Sequence, residues 1–178
     1  MRMKLTRKES IYQGKKCRFE VHHLENPETG KKHTREVVVH PGAVIILPIT
    51  ADNHVLLIRN RRYAVDEVLL ELPAGTIDNG EPPINCAGRE LLEECGYLAG
   101  KLAAFASFYT SPGILSEKMH AFIATELEPA EQALEEGEEI EVVPTPLSDA
   151  IGMAATGEIR DGKTIAVLLM YAARNGLG

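Results

Sequence analysis

Glu90, Glu93 and Glu94 lie within the run Arg89-Glu90-Leu91-Leu92-Glu93-Glu94-Cys95-Gly96. If that run is helical, their i, i+3, i+4 spacing puts all three carboxylates on one face. Like charges so spaced repel, and a helix gains nothing from them unless a cation sits among them. Carboxylate oxygens suit a hard divalent ion, and such an ion held by glutamates points to phosphate chemistry. The plainer reading of Glu93-Glu94 taken alone is a solvated helix face.

The elements that must position these groups are legible around them. Cys17, Phe19, Val21 and His23 alternate with Lys16, Arg18, Glu20 and His22, a strand period, after a polar N-terminal arm. Asn26 to Gly30 supplies a turn and Thr34 to Val39 a returning strand, so the chain begins with an arm and a hairpin. Ala43 to Ile49 is continuously apolar and reads as a buried central strand, followed by a turn at 51–53 and a strand from Val55 to Arg59. Leu69 to Leu72 is a short strand ended by Pro73, and Gly75 to Glu81 a polar loop. A helix should start near Pro82-Pro83 and stop at Gly96. Gly100 to Tyr109 and Met119 to Glu126 read as strands around the turn Ser111-Pro112-Gly113, and Glu128 to Glu141 as a mobile acidic loop. A short helix opens at Thr145 to Ser148, and a last one runs from Lys163 to Arg174. The order predicts an α+β fold, an α/β/α sandwich with a mixed central sheet between helices. It forms one domain over 1–178, with the arm and hairpin at 1–40 and the core at 41–178.

Composition narrows the classes. The 178 residues are 44% hydrophobic and 25% charged, as expected of a single globular domain. Net charge is −7 with no basic run beyond pairs such as Lys15-Lys16 and Lys31-Lys32, which disfavours nucleic acid as a partner. Cys17, Cys86 and Cys95 form no C-x-x-C pair, arguing against a disulfide framework or a cysteine zinc site. No signal peptide or membrane-spanning stretch is visible, so a cytoplasmic location is expected and no membrane partner.

From Gly75 the spacing is Gly, five residues, Glu81, seven residues, Arg89-Glu90-Leu91, one residue, Glu93-Glu94, one residue, Gly96. This resembles the Nudix box, the signature of the Nudix hydrolases, with Tyr97 where an aliphatic residue is usual. The box covers 75–97. The resemblance implies a metal-dependent hydrolase of a nucleoside diphosphate linked to another group, using Mg²⁺ or Mn²⁺. It implies metal binding by Glu90 and Glu94 together with the Ala74 carbonyl, and support from Glu93 and Glu81. Gly75 and Gly80 let the loop turn sharply enough to bring that carbonyl into reach. Arg89 is expected to pair with a box carboxylate such as Glu81.

Three shorter features resemble the ADP-ribose pyrophosphatase group of the family: Glu71-Leu72-Pro73-Ala74-Gly75, Ser111-Pro112-Gly113, and the N-terminal hairpin. The stretch Arg35 to Val44 is also similar to that group. That resemblance implies a homodimer with an exchanged hairpin, and substrate contacts from Arg35, Arg62, Glu71, Pro112 and Glu117. It places the catalytic base or a third metal ligand in the acidic loop, at Glu138, with its neighbours Glu136 and Glu139 next; the plain alternative is a solvated loop. Tyr12 is a candidate to stack on a base, and Phe19 to pack in the core or an interface. His22, His23 and His40 read as structural or exposed, and Cys86 and Cys95 as packing residues. The expected activity is cleavage of ADP-ribose to AMP and ribose 5-phosphate. The alternatives are hydrolysis of another nucleoside diphosphate sugar (ADP-glucose, GDP-mannose), a non-hydrolytic nucleotide sensor, and a plain metal-binding protein.

Overall fold

The computed structural model describes residues 2–134 and 136–177. They fall into two compact units, one made of residues 1–42 and 109–118, the other of residues 43–108 and 119–178.

The first unit is an antiparallel sheet of β1 (Lys4–Gln13), β2 (Arg18–Glu25) and β3 (Lys32–Val39), in that order. The expected hairpin is β2–β3, whose turn is closed by Asn26 Oδ1 accepting the Glu28 and Thr29 N–H groups. β1 replaces the expected arm. Almost every residue of it is exposed, so it carries no apolar alternation to betray a strand. On one face of β2 the buried Glu20 carboxylate takes His22 Nε2 at 2.7 Å and Arg18 Nε at 2.5 Å. His22 first and Arg18 second hold that carboxyl below its usual range. Residues 109–118 bond to β3 through Val38 N–H to the Ile114 carbonyl (2.8 Å) and Ser116 N–H to the Val38 carbonyl (2.9 Å).

In the second unit run β4 (Ala43–Pro48), β5 (His54–Arg62), β6 (Glu67–Glu71), β7 (Ala74–Thr76), α1 (Pro83–Cys95) and β8 (Tyr97–Tyr109). After them come β9 (Lys118–Pro129), β10 (Ile140–Pro146), α2 (Leu147–Thr156) and α3 (Gly162–Asn175), with Tyr109 of β8 and Lys118 of β9 counted in the first unit. The fold is the expected mixed α+β class, but its strands form two sheets. One has the order β7-β4-β9-β8, with β4 antiparallel to β7 and parallel to β9. The other is antiparallel, β10-β5-β6. β4 and β5 touch through the Ile49–Val55 bridge, where Asn53 takes a left-handed φ of 61° and turns the chain into the second sheet.

β4 is apolar throughout because both its faces are covered. Ala43, Ile45 and Leu47 join Val55, Leu57, α2 and α3 in one cluster; Val44 and Ile46 join Leu56, Ile58 and the apolar side of α1 in another. Burying each such Val, Leu or Ile contributes about 1.5–3 kcal/mol. α1 starts with Pro83 after Pro82 and ends at Gly96, whose φ of 70° lets its N–H return to the Leu92 carbonyl. No described helix is long and apolar enough to cross a membrane.

Candidate active site

α1 is pinned by Cys86, Ala87, Leu91 and Cys95 in the core, which turns Arg89, Glu90, Glu93 and Glu94 toward the loop before it. The three glutamates fall in the last turn and a half of a helix ending at Cys95, near the negative end of its dipole. Proximity to one another and to that end both oppose three negative charges there.

Arg89 answers part of this. Its Nη1 lies 2.7 Å from Glu93 Oε2 and 2.9 Å from Glu90 Oε1, while Nε and Nη2 each reach Glu81 at 3.2 Å. The Arg89 guanidinium holds the Glu81 carboxyl below its usual range, helped by the Asp78 N–H. Glu81 and Glu93 are therefore occupied by Arg89.

Glu90 and Glu94 are left with less compensation. Burial pushes the Glu90 carboxyl up to about 7 despite Arg89, and the Glu94 carboxyl up to about 8 despite a hydrogen bond from the Ala74 N–H at 2.8 Å. The charge of Glu93 also raises Glu90, that of Glu90 raises Glu94, and that of Glu138 adds to both. Glu138 thus sits within electrostatic reach of the pair, on an exposed stretch of loop that also carries the exposed Glu136 and Glu139.

Gly75 completes the constellation. A Cβ placed there would overlap the Glu90 carboxyl, so only glycine lets that carboxylate lie against the β7 backbone. Ile46 N–H bonds the Pro73 carbonyl, and in an antiparallel ladder the next residue, Ala74, then directs its peptide groups away from β4. Among the described residues no three His, Cys, Asp or Glu side chains converge as a ready-made ion cage. A buried carboxylate, Glu94, and a half-buried one, Glu90, both with their charge disfavoured and beside a backbone with groups turned outward, nevertheless fit a hard divalent cation. Its charge would remove the disfavour, and its ligands would be oxygens throughout.

The other expected site residues divide between the units. In the second, Arg62 donates from Nε and Nη2 to Glu71 at 2.7 Å each. Glu71, expected against substrate, is completely buried and paired with both Arg62 and Lys163. Arg35, Pro112 and Glu117 belong to the first unit. Arg35 is exposed and, with Arg7, His23, Lys32 and His33, lines a groove of about 670 Å³. Glu117 accepts from Thr110 Oγ1 at 2.7 Å and lies 3.5 Å from His40 Nδ1; Pro112 is in an exposed turn. Cys86 and Cys95 are buried free thiols, and burial pushes the Cys86 thiol up to about 12, far from nucleophile range. Tyr97 packs on the α1 core cluster.

Two groups of residues around the site went unread in the sequence. Gln132 donates to the Glu94 carbonyl at 2.6 Å, and the backbone N–H groups of Ala130 and Ala133 bond the Gly96 and Glu93 carbonyls. The stretch expected as a mobile loop over 128–141 is therefore stitched to the end of α1 at its start and enters β10 at Ile140. Asp161, Lys163 and Thr164 at the start of α3 are the second group. Their signal was a lysine placed in a first helical turn, where the dipole disfavours a cation.

Residues 39–168 match the NUDIX domain. The chain is 40% identical over 159 residues to an ADP-ribose pyrophosphatase of Bacillus subtilis, spanning 88% of this chain and 85% of that one. It is 41% identical over 148 residues to a GDP-mannose pyrophosphatase of Salmonella paratyphi B, spanning 77% and 76%. A crystal structure of an ADP compounds hydrolase superposes with a TM-score of 0.85 at 25% identity, covering 100% of this chain and 98% of that one. With its box residues gathered on α1 and the loop before it, the chain belongs to the Nudix family, as a pyrophosphohydrolase.

Proposed function

We propose that the protein is a homodimeric, Mg²⁺-dependent hydrolase that cleaves ADP-ribose to AMP and ribose 5-phosphate, with Mn²⁺ as a substitute ion. The observation that carries this reading is the Glu90 carboxylate seated over Gly75 beside the buried Glu94, next to the outward-facing Ala74 peptide. Glu90, Glu94 and the Ala74 carbonyl hold the ion in this reading, and Arg89 fixes Glu81 and Glu93 around them. Mg²⁺ held there would neutralise pyrophosphate charge and lower the pKa of the attacking water. Glu138 accepts the proton of that water on its carboxylate, with Glu136 and Glu139 as the neighbouring choices; water adds to phosphorus as the P–O–P bond breaks. Arg35, Pro112 and Glu117 contact the substrate, and Arg62 aids from its seat on Glu71.

Dimerisation is supported by Leu5, Ile11 and Tyr12, exposed by 43%, 53% and 66% on β1. Three free cysteines agree with a reducing, cytoplasmic setting. A second reading, another nucleoside diphosphate sugar as substrate, draws on the GDP-mannose relatives, whose 41% identity matches the 40% of the ADP-ribose relative.

A substrate panel tests the proposal: ADP-ribose, ADP-glucose, GDP-mannose and dinucleotides, scored by phosphate released after phosphatase coupling, with Mg²⁺ and Mn²⁺ compared. ADP-ribose should give the highest kcat/KM. Preference for GDP-mannose selects the second reading, and no turnover on any of them favours a nucleotide sensor. A solution mass near 19.5 kDa, the mass of one chain, would remove the dimer and leave the chemistry.

A further inference from the structure

Glu71 has no measurable exposure, yet it is a carboxylate. Arg62 binds it in bidentate fashion at 2.7 Å, and Lys163 Nζ bonds its Oε2. Lys163 also reaches Asp161 Oδ1 at 2.8 Å. Asp161 caps α3, accepting the Thr164 N–H at 2.9 Å and the Thr164 hydroxyl at 2.5 Å on Oδ2. The same Thr164 hydroxyl oxygen, fully buried, accepts the Leu72 N–H at 2.8 Å.

The segment Glu71-Leu72-Pro73-Ala74 is thus held at every step. Glu71 is tied to the first turn of α3 by its side chain and Leu72 by its N–H. The Pro73 carbonyl takes Ile46 N–H at 2.9 Å, and Ala74 N–H is given to Glu94. The hydrogen bond that orients Glu94 therefore starts from a backbone whose position α3 fixes. A buried carboxylate between two cations is seldom the most stabilising filling, since apolar residues of like volume often do as well or better. What such a pair supplies is a fixed position.

We propose that the first turn of α3 is a positioning clamp: Thr164, Asp161 and Lys163 set the Glu71–Ala74 backbone and, through the Ala74 N–H, the Glu94 carboxylate, and so tune the affinity of the site for its divalent ion. This rests on the metal-holding reading of Glu90 and Glu94 given above. Thr164→Val keeps the side-chain volume and removes the acceptor of Leu72 N–H; Thr164→Ser restores it; Lys163→Met removes the charge and keeps the stem.

The measurement is Mn²⁺ binding, followed by loss of the free-ion spectroscopic signal, beside thermal unfolding of each variant and the kcat and KM of the wild type. Thr164→Val and Lys163→Met should each weaken Mn²⁺ binding about tenfold while remaining folded, and Thr164→Ser should stay within about twofold of wild type. If Thr164→Val does not fold, Lys163→Met carries the test. Folded variants with a lowered Tm and unchanged Mn²⁺ affinity overturn the clamp and leave the proposed function standing. Weakened Mn²⁺ binding together with a wild type inactive on every nucleotide sugar supports the clamp and removes the substrate reading. Mn²⁺ affinity that survives Glu94→Gln overturns both.

Discussion

At Glu94 burial, the neighbouring Glu90 and the negative end of α1 all oppose a charge. The Glu90 and Glu94 carboxyls, at about 7 and about 8, both lie above the ordinary 4.5, so the folded chain binds more protons than the unfolded chain across that interval. Their contribution to metal-free stability is full below the ordinary value and is lost as pH rises through the folded values. In chelator, the wild-type Tm should fall between about pH 5 and about pH 8.5, and Mg²⁺ should restore most of it at the alkaline end. Glu94→Gln removes the disfavoured charge and keeps an acceptor for Ala74 N–H. It should raise the metal-free Tm at about pH 8.5, flatten the pH profile, and lower kcat/KM by about 100-fold. A folded Glu94→Gln enzyme with full activity would sink the assigned role. Gly75 offers the complementary case, because what an added Cβ would strike is the end of a flexible side chain. In Gly75→Ala the Glu90 carboxylate swings aside, so activity should drop about 100-fold with Tm nearly unchanged. A large loss of Tm with activity retained per folded molecule would show that Gly75 serves the fold instead.

α1 must deliver its glutamates at one depth, and Gly96 sets where the helix stops. Its φ is 70°, and a Cβ there would lie 3.1 Å from the Ala130 carbonyl and the Gln132 nitrogen. Gly96→Ala therefore meets strain from the backbone angle and from crowding together, and should cost about 1–2 kcal/mol in urea unfolding, with a reduced kcat as well. An unchanged unfolding midpoint would mean that the 130–133 segment yields easily. That segment shows why some elements were legible in the sequence and others were not. α1, β4 and β5 announced themselves by local means: proline at the start, glycine at the end, apolar runs between. β10 starts inside an acidic run and contains Pro144 and Pro146, tolerable because it is an edge strand in the order β10-β5-β6. β7 is only three residues long, and β1 has polar residues on both faces. The cluster on α1 was legible because helical spacing alone brings Arg89, Glu90, Glu93 and Glu94 together, and the box because its residues follow one another in the chain. The Glu71–Lys163 contact was not, since it joins residues 92 apart through tertiary packing alone.

The charge of the whole chain, −7, hides an uneven division between its units. Residues 1–42 and 109–118 hold eleven Lys/Arg against six Asp/Glu, a net of +5; the remainder holds eight against twenty, a net of −12. The strongly acidic second unit repels an anionic nucleotide at long range, and an ion held at Glu90 and Glu94, as proposed, would correct this only locally. The surplus cations of the first unit, among them Arg35, Arg7 and Lys32 along one groove, would attract an anionic diphosphate at long range. If they do, attraction should be screened by salt while the chemical step is not. At fixed Mg²⁺, KM for ADP-ribose should rise several-fold between about 20 mM and about 300 mM NaCl with kcat nearly constant. Arg35→Gln should raise KM at low salt and flatten its salt dependence, because one of the screened charges is gone. Should the slope of KM against salt be the same in Arg35→Gln as in wild type, the attraction comes from elsewhere in the molecule. The basic N-terminal sheet would then be left with assembly as its task.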